Sequence, residues 1–254
     1  MHSGRCAALA SIIIDENNST YDSRDNCNAI IETASNTLIA GCKNTAIPDS
    51  VTSIASQAFD YHTGLTSITI PDNVTSIGAC AFRRCSFESV TIPASVNSIE
   101  QSSFSRCTNL ASIIIDENNS TYDSRDNCNA IIETASNTLI AGCKNSTIPN
   151  GVTSIGDKAF QECSGLTSIT IPDSVTSIGD SAFDNCWNLT TLTIGSGVTS
   201  IGDYAFYIYD GISSITYTGT MTQWKAITRG SSWHRGIKAT TVTCSDGTCG
   251  LDDK

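Results

Sequence analysis

Basic residues, aromatics and long apolar runs are all scarce in this chain, and each shortage removes a class of function. Only 14 residues are Lys or Arg against 25 Asp and Glu, a formal net charge of −11. Phosphate contacts need clustered cations, so neither nucleic acid nor an anionic membrane surface is expected as a partner. No stretch approaches the ~20 apolar residues that span a bilayer, so no direct membrane insertion of this chain is expected. Residues 1–9 also lack the apolar run of a signal peptide. Charged residues make up 15% and aromatics 7%, both low for an ordinary globular enzyme. The three histidines, His2, His62 and His234, stand in unrelated contexts, and the sequence holds no G-x-S-x-G, G-x-G-x-x-G, P-loop or C-x-x-C pattern. The expectation is a chain that is not an enzyme, with no cofactor and no metal.

Ser, Thr, Asn and Ile fill the gap. β-Branched and hydroxyl residues suit a pleated, half-buried surface better than a helix, so many short strands and little helix are expected. Self-comparison gives the organisation. Residues 5–44 recur at 106–145 with two differences, Ala7 and Ala8 becoming Thr108 and Asn109. The same shift carries Pro48 onto Pro149, Phe59 onto Phe160 and Phe82 onto Phe183.

Inside each block runs a shorter period, marked by Phe59, Phe82, Phe104, Phe160, Phe183 and Phe206. In LTSITIPDSVTSIGDSAFDNC (166–186), Leu166, Ile169 and Ile171 alternate with Thr167, Ser168 and Thr170, as in a strand with one buried face. Pro172 ends the ladder, Asp173 and Ser174 supply a turn, and Gly179 is expected to allow a backbone conformation closed to other residues. One such unit cannot cover its apolar stripe, whereas stacked units can. The fold class expected is a β-rich solenoid, a leucine-rich repeat of ~23-residue units with little helix and a C-terminal cap.

The solenoid is expected over residues 1–211, as two blocks offset by 101 residues. Inserts at 15–48 and 116–149 read as β-hairpins within it, because NAIIETASNTLIAGC places two apolar runs around a polar turn. Residues 212–254 leave the repeat. They read as a strand at Ile212–Tyr217, a short amphipathic helix at Met221–Ile227 and a last strand at Ala239–Cys244, capping the final rung. No comparable cap is legible at the N-terminal end.

IPDSVTSIGDSAFDNCWNLTTLTI (171–194) and its tandem copies resemble the consensus of the BspA-like, or Treponema pallidum type, leucine-rich-repeat surface proteins. That resemblance implies a secreted or cell-surface location and binding of a macromolecular partner, a host matrix or cell-surface protein; glycan binding through the C-terminal aromatics is a separate alternative. A structural spacer within a larger surface protein is another alternative.

The outward strand positions are the candidate partner-binding residues: Thr66, Ser67 and Thr69; Thr167, Ser168 and Thr170; Thr190, Thr191 and Thr193. Their hydroxyls can donate and accept hydrogen bonds, although a merely soluble face would look the same. Trp224 and Trp233 read chiefly as cap packing, with a sugar platform shared with Tyr207 and Tyr209, or His234, as the alternative. Cys6, Cys85, Cys107, Cys163 and Cys186 share one slot, which suggests a ladder of buried thiols. Cys27 with Cys42, Cys128 with Cys143, and Cys244 with Cys249 are the pairs that could bridge. The carboxylates Asp15, Glu16, Asp22 and Asp25, repeated as Asp116, Glu117, Asp123 and Asp126, lack calcium-loop spacing and read as a solvated acidic loop.

Overall fold

The computed structural model describes residues 8–253, so Cys6 of the cysteine slot and His2 lie outside it. The chain divides into two compact units, Met1–Asp123 and Ser124–Lys254. Each is a β-solenoid of short strands, and among the described residues helix is confined to two three-residue 3-10 turns and Met221–Ala226.

In the second unit, successive turns of chain are joined by three columns of hydrogen bonds. The first column is a sheet of Ser168–Ile171, Thr191–Ile194, Ser214–Tyr217 and Thr241–Cys244, all parallel, closed by the antiparallel strand Gly247–Gly250. The second is built from two-residue strands, Ser154–Ile155, Ser177–Ile178, Ser200–Ile201 and Thr228–Arg229, again parallel. The insert hairpin Ala130–Glu133 with Thr138–Gly142 starts this column, since its second strand pairs with Ser154–Ile155. The hairpin therefore stays inside the coil.

The third column contains no strand. Ser181 and Asn185 flank Phe183 in left-handed backbone conformation, with φ of 54° and 56°. This reversal on either side of the ring turns the amides of Ser181, Phe183 and Asn185 toward the next turn. They donate to the carbonyls of Asp203, Ala205 and Tyr207 at 2.8, 2.7 and 2.8 Å. Lys158 and Glu162 flank Phe160 in the same way. Left-handed geometry is costly for residues with a Cβ, and the inter-turn bonds over-determine it here.

The sequence assigned Gly179 to such a conformation, and the structure corrects this. Gly179 is not among the positive-φ residues. It is needed because a Cβ there would meet the Asp157 amide nitrogen at 2.6 Å and the Gly156 carbonyl carbon at 2.8 Å. Close approach of two backbones excludes the side chain.

Side chains between the columns form one core. Phe160, Phe183 and Phe206 stack at centroid distances of 4.9 and 5.0 Å, and Trp233 closes the stack edge-on to Phe206 at 6.3 Å. Ile169, Leu192 and Ile215, then Ile171, Ile194 and Tyr217, form parallel buried rows. Each fully buried side chain of this size contributes about 1.5–3 kcal/mol. The helix Met221–Ala226 covers the end of this core with Trp224. It is held by a capping box in which Thr220 accepts from the Gln223 amide.

The first unit repeats the plan with one interruption. Its hairpin, Ile30–Glu32 with Thr37–Ala40, leads into the parallel strands Ser53–Ile54, Ser76–Ile77 and Ser98–Ile99. Phe59, Phe82 and Phe104 stack at 5.2 and 5.5 Å. The column of longer strands, however, contains only Ser89–Ile92 and Ser112–Ile115.

Candidate functional site: the hydroxyl-bearing strand face

Alternation along the longer strands sends every second residue outward. In the second unit the register aligns Ser168 with Thr191 and Ser214, and Thr170 with Thr193, Thr216 and Thr243. Neighbouring strands lie ~4.8 Å apart and alternate residues ~6.8 Å apart, so these hydroxyls and methyls form a regular two-row grid. Ser168, Thr170, Thr191, Ser214, Thr216 and Thr243 are exposed, while Thr193 is half-buried. No hydroxyl of this grid has a hydrogen-bond partner among the described residues. Each retains a donor and acceptor capacity for a partner.

Thr167 and Thr190 are exposed but differently occupied. The Thr190 hydroxyl donates to the Thr167 carbonyl at 3.3 Å, and Ser213 repeats the contact onto Thr190. These residues bind turn to turn and mark the edge of the grid. Sequence reading missed Ser214, Thr216, Thr241 and Thr243. Their signal is the alternation in SITY and TVTC, which continues the strand pattern of the repeats into the capping strands.

Thr66, Ser67 and Thr69 need correction. They are exposed, but residues 66–70 form no strand. Between Cys85 and Ser89 the chain is one residue shorter than between Cys186 and Thr191. Phe87 is drawn into the core against Phe82 at 5.9 Å, and the Ser86 amide bonds to the Leu65 carbonyl. The following strand, Ser89–Ile92, pairs only with Ser112–Ile115. A seam of about 370 Å³ is left, lined by Thr66, Ser67, Ser86, Glu88, Ser89 and Asn109. The outward residue opposite Thr91 is Ile114, which is 51% exposed, so the hydroxyl grid belongs to the second unit.

The sugar platform also needs correction. Trp224 is 0% and Trp233 3% exposed, packed on each other at 5.9 Å with Arg229 lying over both rings. Neither presents a face to a ligand. Tyr207 and Tyr209 are close, ring centroids 5.5 Å apart and hydroxyls at 3.2 Å. Tyr204 packs on Tyr207 at 5.9 Å. Trp187, 59% exposed, was not singled out from sequence.

A cleft of about 530 Å³ beside the cap is lined by Ser232, His234, Arg235, Thr240, Leu251 and Asp252. His234 Nε2 is tied to the Asp252 carboxylate at 2.9 Å. The Ser232 hydroxyl has no hydrogen bond to His234 among the described residues, so the pair lacks the nucleophile contact of acyl-transfer sites. In the acidic loop, Asp22 is paired with Arg24 at 2.6 Å and Asp15 accepts from Asn17.

The thiols of the cysteine slot are used internally. Cys85, Cys107 and Cys186 donate to the carbonyls of Phe59, Phe82 and Phe160 on the preceding turn, at 3.3, 3.1 and 3.0 Å. Burial pushes the Cys163 thiol up to about 12 and Cys186 well above its ordinary value, so both stay protonated and inert. Cys27, Cys42, Cys80, Cys85, Cys143, Cys163, Cys186, Cys244 and Cys249 are free thiols. Cys27 and Cys42, offered above as a bridge, point to the carbonyls of Ala29 and Asn28.

The model of the BspA type leucine rich repeat region matches six copies over residues 36–137 and 136–228. A leucine-rich repeat protein from Bacteroides ovatus is 25% identical, with a TM-score of 0.54, over 79% of this chain and 49% of that one. The pneumococcal vaccine antigen PcpA is 19% identical, with a TM-score of 0.58, over 76% and 56%. A leucine rich cell surface protein from Faecalibacterium prausnitzii is 28% identical, with a TM-score of 0.46, over 72% and 62%. The chain thus spans about half to three-fifths of the length of these three. No curated protein matches it, and no helix among the described residues is long and apolar enough to cross a membrane. On its repeats and its coil, the chain belongs to the BspA type leucine-rich-repeat family.

Proposed function

We propose that this chain is a cell-surface or secreted adhesion module that binds a macromolecular partner, foremost a protein of the host matrix or cell surface, through the outer face of its solenoid. The observation that carries this reading is the unpartnered hydroxyl grid of Ser168, Thr170, Thr191, Thr193, Ser214 and Thr216 on one ordered sheet. Such a face offers many weak, geometrically fixed hydrogen bonds at little desolvation cost, and a rigid scaffold limits the entropy lost on binding. A purely structural spacer would leave the same face idle.

The test is binding of the purified chain to a panel of immobilised extracellular-matrix proteins by interferometry. Thr170→Glu with Thr191→Glu should weaken capture at least tenfold while leaving the unfolding midpoint within error. Capture that is unchanged by both substitutions, or absent across the panel, overturns the reading. The cluster of exposed Tyr204 and Tyr209 on half-buried Tyr207 favours a second reading, glycan binding. Glycan-array capture lost in Tyr209→Ala but kept in Thr191→Glu would select it.

A further inference from the structure

The last hairpin pairs Thr241–Cys244 with Gly247–Gly250 in antiparallel register, Val242 opposite Cys249 and Cys244 opposite Gly247. Cys244 and Cys249 are therefore diagonal neighbours on the inward face. Diagonal partners are ordinarily ~7–8 Å apart at Cα, but twist is largest in narrow hairpins and shortens one diagonal. Here the two sulfurs lie 4.0 Å apart. The thiols of Cys27, Cys42, Cys85, Cys107 and Cys186 point instead to backbone carbonyls.

Access also separates this pair. Both sulfurs are nearly covered, but the connecting residues Ser245, Asp246, Gly247 and Thr248 are all exposed. Gly247–Gly250 is the terminal strand of its sheet, hydrogen-bonded on one edge only. A terminal hairpin opens locally at far lower cost than an interior turn, so these thiols reach solvent without global unfolding.

We propose that Cys244 and Cys249 are a site of thiol modification, oxidised to an intramolecular disulfide by exchange with a low-molecular-weight disulfide. One thiolate attacks the reagent, forms a mixed disulfide and expels one reagent thiolate. The second cysteine thiolate then attacks the protein-side sulfur and expels the other. The two cysteines lose two hydrogens in total, one sulfur–sulfur bond forms as another breaks, and the reagent leaves as two thiols. The product pins the closing strand and, through the pairing of Thr216 with Thr243, the end of the sheet. A disulfide spans 2.03–2.05 Å between sulfurs, a closure that side-chain rotation and a small increase in hairpin twist supply.

The experiment treats the native full chain with oxidised glutathione at mildly alkaline pH, quenches in acid, and alkylates under denaturing conditions without reductant. Of the twelve cysteines, all but this pair should be alkylated, with peptide mapping placing the link between Cys244 and Cys249. The pair should be lost at least about tenfold faster than the buried slot thiols. Cys244→Ser should halt the reaction at one glutathione on Cys249, and Cys249→Ala at one on Cys244. These two variants keep the test independent of either one's folding. Labelling of all twelve thiols, links spread over other cysteines, or no change in either variant would each overturn the assignment.

Discussion

Replacing Gly179 with alanine tests whether backbone approach, rather than backbone conformation, sets the spacing of the turns. The added Cβ would lie 2.6 Å from the Asp157 nitrogen, against 3.4 Å for ordinary contact, so the two turns must part by about 0.8 Å. Two bonds join them here: the Gly179 amide to the Ile155 carbonyl and the Asp180 amide to Asp157 Oδ1, both 2.8 Å. Stretched by that amount, both exceed hydrogen-bond range. Two net bonds at about 1 kcal/mol each, with overpacking strain of about 1–3 kcal/mol, give a loss of roughly 3–5 kcal/mol.

Gly156 provides the internal control. Its Cβ would approach the Leu139 carbonyl oxygen at 3.2 Å, so Gly156→Ala should cost about 1 kcal/mol or less. Equilibrium urea unfolding followed by tryptophan fluorescence reports on this unit, because Trp187, Trp224 and Trp233 all lie in it. The denaturant midpoint should fall steeply for Gly179→Ala and slightly for Gly156→Ala. Equal midpoints for the two variants, or a gain in stability at Gly179, would refute the close-approach account.

Two further predictions concern charge. Asp60 is buried and held by a two-bond pair from Arg83 on the next turn, at 2.6 and 2.8 Å; Arg83→Ala strands that carboxylate and should lower stability by about 1–3 kcal/mol, more than Asp60→Asn with Arg83→Ala together, as a double-mutant cycle in urea would register. The Thr218 hydroxyl, with the Ser196 amide and hydroxyl, holds the Asp173 carboxyl below its ordinary 3.8. A depressed carboxylate stabilises the fold above its unfolded value and loses that contribution as pH falls through the folded one. Acid unfolding below about pH 4 should therefore be shallower in Asp173→Ala than in the parent, and parallel acid limbs would contradict the contact.

Much of the architecture was legible because it depends on side-chain period. L-x-x-I-x-I placed Ile169 and Ile171 inward and the Thr and Ser positions outward, and the repeat phenylalanines marked the stack. The insert hairpins and the short helix were likewise readable from apolar spacing and turn residues. What could not be read depends on backbone geometry without a side-chain signature. Gln57, Cys80, Lys158 and Tyr204 adopt left-handed conformations, yet none is a residue type that announces one; their geometry is imposed by the adjoining turn. The unformed strand at 66–70 follows from a one-residue shortening twenty positions downstream, which no local pattern at Thr66 records. The grid extends past residue 212 because the capping strands Ser214–Tyr217 and Thr241–Cys244 continue the same sheet although the repeat consensus has ended.

The seam beside Ser89 shows how this architecture responds to changes in length. Within the stacked turns, backbone bonds recur at a fixed offset of about one period, so gain or loss of a complete period leaves the remaining equivalences intact. A single residue dropped within a period has no such freedom, because it shifts one segment against fixed neighbours and unzips them. Genetic drift in the number of copies should therefore be structurally silent, while drift inside a copy should create local openings. Chains of very different length can thus display the same outer pattern, each distinguished by where its few internal deletions fall.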